Sequence, residues 1–502
     1  MRRVSWPVVL TIAAVKFALQ LYADGSYHYF RDELYYIACG RHLDWGFVDH
    51  PPLVALYARV GEWLGGFWGL RGFRLIAVLA GALRVVLTGV IAARLGGDKR
   101  AQALACVAVL MAPIYLGLDS IMTMNGPEHL FWLACLWIAI EIANGADERW
   151  WLAFGAVAGL GLQNKHSMVF VAFAIVAAML FTPMRRSLAR PWIWAGGAVA
   201  LLIFLPNLLW EVAHDFATLE LLRNVKMSGK NIVLGPLAFV KQQAMILDPF
   251  AAPLWIAGLV ALLFAPVLRR YRALGIAYVI LLLTMIELEA KDYYVAPIYP
   301  MLFAAGAVWL FSGARVRSAC GWAMLAVVIA GGAIAAPLAL PLLPPERYLA
   351  YQRALGVKPP RTEVSHTSEM PQFFSDQFGW EEMVRNVASF YNALPPDVRK
   401  RTAIYCPNYG EAGAIDFYGR KYGLPPAISG HQSYFLWGPR GYTGESVILI
   451  ENHTDAWLWD SVQVAGRRYH PYAMPEENGV FLYCRVLKTP LPALWPKLKH
   501  WR

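Results

Sequence analysis

Up to about residue 344 the chain alternates long apolar runs with short polar connections. Runs of near-spanning length lie at 4–23, 72–95, 101–118, 127–143, 150–164, 166–182, 191–213, 251–267, 273–289, 295–312 and 319–343. A spanning helix needs about 20 apolar residues, so the shorter runs imply tilt or ragged ends. The pattern predicts an all-α polytopic membrane domain over 1–344 with about 11 transmembrane helices. The first run follows Arg2-Arg3 and lacks a clear small-x-small cleavage site, so it reads as a retained helix rather than a signal peptide. Segment 24–71 is too long for a plain connector. Within it, Leu53–Leu70 is amphipathic and rich in Trp and Gly, which predicts a helix lying in the membrane interface.

Beyond Pro344 the pattern changes. Charge density rises, Pro and Gly punctuate the chain, and no spanning run remains. Thr402–Cys406, Ser446–Glu451 and Val480–Val486 read as short buried strands, with helices expected at Glu411–Tyr422 and Thr454–Val464. Residues 345–502 are thus predicted to form a small soluble α/β domain. Cys406 and Cys484 fall on two of its strands; a disulfide and two unpaired core thiols are equally compatible with their spacing.

Composition agrees with the pattern. Apolar residues make up 58% of the 502 and charged residues 16%, against about 45–50% and about 25% in soluble proteins. So much apolar surface cannot be hidden in one soluble core. A net charge of +11 could point to nucleic acid, but no Lys/Arg run exceeds three residues. The basic residues instead gather in alternate connections, at Arg94, Lys99, Arg100, Arg185, Arg186, Arg269 and Arg270. By the positive-inside rule these connections are cytoplasmic. Segments 24–71 and 214–250 and the C-terminal domain are then extracytoplasmic, as in a multi-pass protein of a bacterial inner membrane.

Polar residues recur on the side assigned as outer. Arg31-Asp32-Glu33 follows the first helix; a carboxylate there suits deprotonation of a hydroxyl nucleophile, and equally suits a helix N-terminus. Asp49-His50-Pro51-Pro52 sets a His at the start of the interfacial helix, as an anion site or as a cap with a solvated His. Lys165, in Gln163-Asn164-Lys165-His166, lies in a connection short enough to hold it near the membrane, as a clamp on a lipid phosphate or as a snorkelling lysine. Lys291-Asp292-Tyr293-Tyr294 sits at another outer end, where belt tyrosines are ordinary. Asn125 and Glu128 open a further helix with a Pro in its first turn. Tyr434, Phe435 and Trp437 read either as a glycan-binding surface or as core. Walker, Gly-rich nucleotide, His-Glu-x-x-His and Cys-x-x-Cys motifs are not found. An activated donor reaching such a face must arrive attached to lipid.

Together, Arg31-Asp32-Glu33, Asp49-His50-Pro51-Pro52-Leu53, Gly159–His166 and Lys291–Pro300 resemble the polytopic glycosyltransferases of the dolichyl-phosphate-mannose protein mannosyltransferase and aminoarabinose transferase superfamily, of GT-C fold. The resemblance covers roughly 1–345; Tyr409-Gly410-Glu411-Ala412-Gly413-Ala414-Ile415-Asp416 resembles tails of bacterial members. It implies transfer of a sugar from a polyprenyl-phosphate donor to a lipid, protein or glycan acceptor. Asp32 would be the base, supported by Glu33; His50, Lys165, Lys291 and Tyr294 would meet the donor phosphate; Tyr35, Asp49, Asn125, Glu128 and His166 would line the acceptor pocket. His50 stands where the aminoarabinose branch has a Lys, Tyr35 where the family has an Arg, and Asn125 where an Asp is frequent. No cofactor is required, although a divalent ion is compatible with the scheme, and no nucleic acid is expected as a partner. A transporter or flippase of a lipid-linked envelope precursor is the alternative. The enzymatic reading requires Asp32, His50 and Lys165 to gather above the bilayer.

Overall fold

The computed structural model describes residues 2–313, 315–359 and 368–502. It divides into two compact units, one of Met1–Ser26, Arg71–Leu209 and Val233–Leu343, the other of Tyr27–Leu70, Trp210–Ile232 and Pro344–Arg502.

The first unit is helical throughout, and every expected apolar run is helix. Among the described residues six helices are long and apolar enough to cross a membrane: Trp6–Ala23, Leu53–Arg94, Asn125–Ala143, Pro191–Ala213, Asp292–Phe311 and Arg315–Ala339. Two sharply bent pairs, Met168–Leu180 with Pro183–Ala189 and Pro236–Ile246 with Pro249–Phe264, raise the number to eight if each is one span, fewer than the eleven that the apolar runs predict. The remaining runs are short. Run 101–118, for instance, divides into Lys99–Met111 and Pro113–Leu118, because Pro113 cannot donate a backbone hydrogen bond and holds Ala112 extended. The protein is a multi-pass membrane protein.

Between helices the first unit relies on small residues. A Cβ on Gly258 would lie 2.0 Å from the Leu302 carbonyl oxygen, and one on Gly306 would lie 2.1 Å from that of Leu254. The helices Ala252–Phe264 and Tyr299–Phe311 therefore meet backbone to backbone, which only glycine permits. Helix Trp6–Ala23 carries a polar stripe of Lys16 and Gln20, continued by Asp24 at its C-cap, all fully buried. Lys16 Nζ donates to Gln20 Oε1 (3.1 Å) and the Tyr115 carbonyl (3.0 Å), and pairs with Asp119 (2.8 Å). Arg84 grips the same Asp119 carboxylate with both terminal nitrogens, at 3.1 and 2.6 Å.

Segment Leu53–Arg94 is one helical run broken at Gly69, whose φ of 62° is the left-handed conformation that glycine adopts without cost. The break falls at the end of the stretch expected to lie in the interface, where Trp63, Phe67 and Trp68 are exposed.

In the second unit four strands form a mixed sheet of order β1-β2-β4-β3, with β1 Thr402–Tyr405, β2 Ser446–Leu449, β3 Trp459–Arg468 and β4 Gly479–Leu487. β1 and β2 are parallel, and the other pairs are antiparallel. The three expected strands are present, but the helix expected at Thr454–Val464 is a short 3-10 turn followed by β3. Val462-Gln463-Val464 alternates with period two, and pairing with Cys484, Tyr483 and Leu482 of β4 outweighs any local helical preference. An unexpected helix, Trp380–Ala393, buries Trp380, Met383, Val384, Val387, Ala388 and Tyr391, one helical face. Cys406 and Cys484 are buried free thiols. Tyr434 is buried in the core, whereas Trp437 is half-buried and stacks on the exposed His42 at 4.3 Å.

At the end of β3, Arg468 pairs with Glu411 and lies 3.5 Å from Glu477. Burial pushes both carboxyls up, Glu411 strongly, and the Glu477 charge adds to the Glu411 shift, while Arg468 opposes both and a hydrogen bond with Glu411 restrains Glu477. A carboxyl raised on folding makes the folded state bind more protons than the unfolded one. Its stability contribution is then lost as pH rises from the ordinary carboxylate range through the raised value. Glu477→Gln removes the surplus charge, so its melting temperature should exceed the parent's at neutral and alkaline pH and converge with it in acid. In the first unit, Asp119→Ala leaves two buried cations without their shared carboxylate. It should cost about 3–5 kcal/mol, read as early loss of monodispersity when the detergent-solubilised protein is heated.

Candidate functional site

The acids of the first long loop lie in the second unit, on the helix Arg31–Arg41 and in the turn before Leu53. Glu33 is the N3 residue of that helix, and its Oε2 accepts from the Phe30 amide (2.8 Å). Fully buried, it serves as a cap. Asp32, one residue earlier, points elsewhere. Its Oδ1 accepts a 2.8 Å hydrogen bond from the Tyr409 hydroxyl and lies 3.7 Å from Arg31 Nε, and its side chain is 28% exposed. No other hydrogen bond reaches Asp32 from the described residues.

Tyr409 is placed by helix packing. It opens the helix Tyr409–Tyr418, capped by Asn408, whose Oδ1 accepts from the Glu411 amide at 2.9 Å. The backbone amide of Tyr409 also faces His431 Nδ1 at 3.3 Å. Burial pushes His431 well below its ordinary value, with His500 adding to the shift, so the ring is neutral and accepts. Tyr409–Tyr418 packs directly on Arg31–Arg41: a Cβ on Gly413 would fall 2.7 Å from the Leu34 carbonyl carbon. Arg41 Nη1 closes the far end, donating to the Asp416 carbonyl at 2.8 Å. Burial, reinforced by Asp32, pushes the Tyr409 phenol well above its ordinary value, so it stays protonated and donates.

Asp49 and His50 belong to the same neighbourhood. The Tyr35 hydroxyl donates to Asp49 Oδ1 (2.8 Å) and faces Ser433 Oγ (2.9 Å), and its ring lies 4.8 Å from that of Tyr409. Burial pushes the Asp49 carboxyl up, and His50 and the Tyr35 hydrogen bond oppose the shift. His50 is fully buried, with Nδ1 2.9 Å from the Pro51 carbonyl and its ring against Phe47, Tyr36 and Tyr35.

The remaining expected residues lie in the first unit. Lys165 Nζ donates to Asn125 Oδ1 and Glu128 Oε2, both at 2.9 Å, and sits 4.5 Å from the ring centre of Tyr294 and 5.6 Å from that of Tyr293. Ser167 donates to the other Glu128 oxygen. Asn164 Nδ2 donates to the Met124 carbonyl (2.9 Å), joining the Lys165 turn to the start of the helix Asn125–Ala143. His166 faces away from this cluster, its Nε2 2.9 Å from Asn207 Oδ1. Lys291 precedes the turn Asp292–Ile298 that carries Tyr294 and is half-buried. Lys165, Asn125, Glu128 and Tyr294 thus form one cluster, in which a single ammonium is balanced by one carboxylate and faced by two aromatic rings.

Sequence reading passed over Tyr409, Ser433 and the Lys16–Asp119–Arg84 group. The last had a signal, since Lys16 and Arg84 each interrupt an apolar run and intramembrane charge marks a paired or functional site. Tyr409 had a weaker one, the spacing of Gly410 and Gly413 behind it. Among the described residues no three His, Cys, Asp or Glu side chains are grouped as a metal ion would need.

Comparison with known proteins returns the same resemblance that the motifs carry. The family described as dolichyl-phosphate-mannose-protein mannosyltransferase matches residues 49–210. Lipid A galacturonosyltransferase RgtD of Rhizobium johnstonii is 28% identical over 241 residues, which are 45% of this chain and 48% of that protein. The chain therefore matches about half the length of this curated relative. Two crystal structures of ArnT from Cupriavidus metallidurans, one bound to undecaprenyl phosphate and one apo, share the fold with TM-scores of 0.63 and 0.60. Each is 15% identical and covers 96% of this chain and 98% of its own. The architecture is that of ArnT, a multi-span helical part followed by a small mixed sheet.

Proposed function

We propose that the protein is an integral membrane glycosyltransferase that moves a sugar from a polyprenyl-phosphate donor to a lipid acceptor on the outer side of a bacterial inner membrane. The observation that carries this reading is the Lys165–Glu128–Asn125–Tyr294 cluster. Three of its four residues lie within the stretch matched by the family. The name of the relative RgtD supports lipid A as the acceptor and a hexuronate as the sugar. ArnT with bound undecaprenyl phosphate supports the donor class. The basic connections at Arg94–Arg100 and Arg269–Arg272 support the orientation.

In this mechanism the acceptor hydroxyl attacks the anomeric carbon and its proton passes to Asp32. The new glycosidic bond forms as the bond to the phosphate oxygen breaks, and polyprenyl phosphate leaves with the electron pair. Negative charge grows on that phosphate, so fixed cations lower the barrier. Lys165 is the principal one, with Lys291 assisting; His50, fully buried against Phe47, Tyr36 and Tyr35, lies beside Asp49 instead. Glu128 holds the ammonium in place until the phosphate competes for it, and Tyr294 walls it off from water. Asp49 and Tyr35 shape the surroundings of Asp32, and Asn125 holds the Lys165 ammonium.

Two substitutions test the scheme in proteoliposomes supplied with undecaprenyl-phosphate galacturonic acid and lipid A, with product followed by mass spectrometry. Asp32→Asn should lower turnover by about 10²–10⁴-fold, and Lys165→Met by about 10²–10³-fold, with both proteins still monodisperse. Wild-type rates in folded Asp32→Asn protein would overturn its assignment as base. Donor flux across the vesicle with no new glycoside would favour a flippase.

A further inference from the structure

Resting on the reading of Asp32 as base, we infer that Tyr409, from the C-terminal part of the chain, is a positioning residue for that base: it anchors Oδ1 so that Oδ2 is presented to the acceptor hydroxyl. A base in a group-transfer site must be held in orientation yet keep one oxygen open to the proton it takes. Asp32 meets both requirements, since the Tyr409 hydroxyl (2.8 Å) and Arg31 Nε (3.7 Å) both approach Oδ1. Among the described residues nothing hydrogen-bonds Oδ2, and the side chain is 28% exposed.

The anchor is built with more precision than a chance contact needs. Four features set the hydroxyl: the Asn408 cap, the His431 contact to the Tyr409 amide, the Gly413–Leu34 approach, and Arg41 on the Asp416 carbonyl. All belong to the unit that carries Asp32. The adjacent carboxylate is treated the same way, since the Tyr35 hydroxyl donates to Asp49 and the Tyr35 and Tyr409 rings lie 4.8 Å apart. Neighbouring phenols thus each orient one acid, and Tyr409 is the one supplied by the tail of the chain.

The test uses the full-length protein in the same proteoliposomes, with undecaprenyl-phosphate galacturonic acid and lipid A as substrates. Tyr409→Phe should lower kcat about ten- to hundredfold while the donor KM stays within about twofold, the size of effect expected when a hydrogen bond to a charged group is lost. The acid limb of its pH–rate profile should move to higher pH, because the lost bond favoured the ionised carboxylate. Incorporation of 3-fluorotyrosine at position 409 keeps the ring and the hydroxyl but makes it a stronger donor, so the limb should move to lower pH. That second measurement decides the matter if the Phe protein does not fold. Unchanged kcat and profile in Tyr409→Phe, a rise in KM alone, or an unmoved limb with fluorotyrosine would each overturn the inference. Asp32→Asn separates the two failures. If it is inactive while Tyr409→Phe behaves as wild type, only the positioning role falls; if it is active, the assignment of the base falls with it.

Discussion

A charge removed from water has to find its partner inside the protein, and much of this structure is arranged around that requirement. Lys16 and Arg84 are fully buried in largely apolar helices, and both close on the single carboxylate of Asp119. The cost of desolvating three ions is offset only by short contacts and additional acceptors, such as Gln20 and the Tyr115 carbonyl. Lys165 obeys the same rule with Glu128, and Arg468 with Glu411. In each case the partner comes from a distant part of the sequence, so meeting the requirement also fixes how segments pack.

The Lys165 cluster differs from the other two in a way that bears on chemistry. Lys16 and Arg468 are nearly or wholly sealed, whereas the Lys165 side chain keeps 13% exposure and is faced by aromatic rings rather than by further acceptors. The Lys165 ammonium is held by one carboxylate and one amide oxygen, whereas Lys16 has three acceptors around it. The same contrast separates Asp32 from Glu33. Adjacent on one helix, one is consumed in capping the backbone and the other keeps an oxygen available.

Small residues carry the second constraint. Gly258 and Gly306 bring two apolar helices to backbone contact, and Gly413 brings Tyr409–Tyr418 onto Arg31–Arg41. Hydrocarbon does not drive apolar helices together, so close packing must supply the attraction in the first case. In the second the close approach has a geometric consequence, because the reach of a tyrosine hydroxyl to Asp32 depends on it.

The apolar runs were long enough to be read as helices directly, since hydropathy over spanning lengths depends on the solvent alone and not on neighbours. Strands β1, β2 and β4 were legible for a related reason, being short buried apolar runs between turn residues. Thr454–Val464 was misread because a stretch with exposed positions takes its conformation from its partner, β4, and not from its own composition. The residue types of Asp32, Lys165, Asn125, Glu128 and Tyr294 were visible in their motifs. Their pairing was not, because hydrogen bonds spanning 37 to 377 residues leave no trace in local pattern. The amino-acid order by itself therefore determined which stretches form apolar helices and where charged residue types fall, both being properties of single stretches. Tertiary structure alone decided which acid is spent as a cap, which buried cation stays partly exposed and which phenol reaches Asp32, since each of these depends on distances between segments that only packing sets.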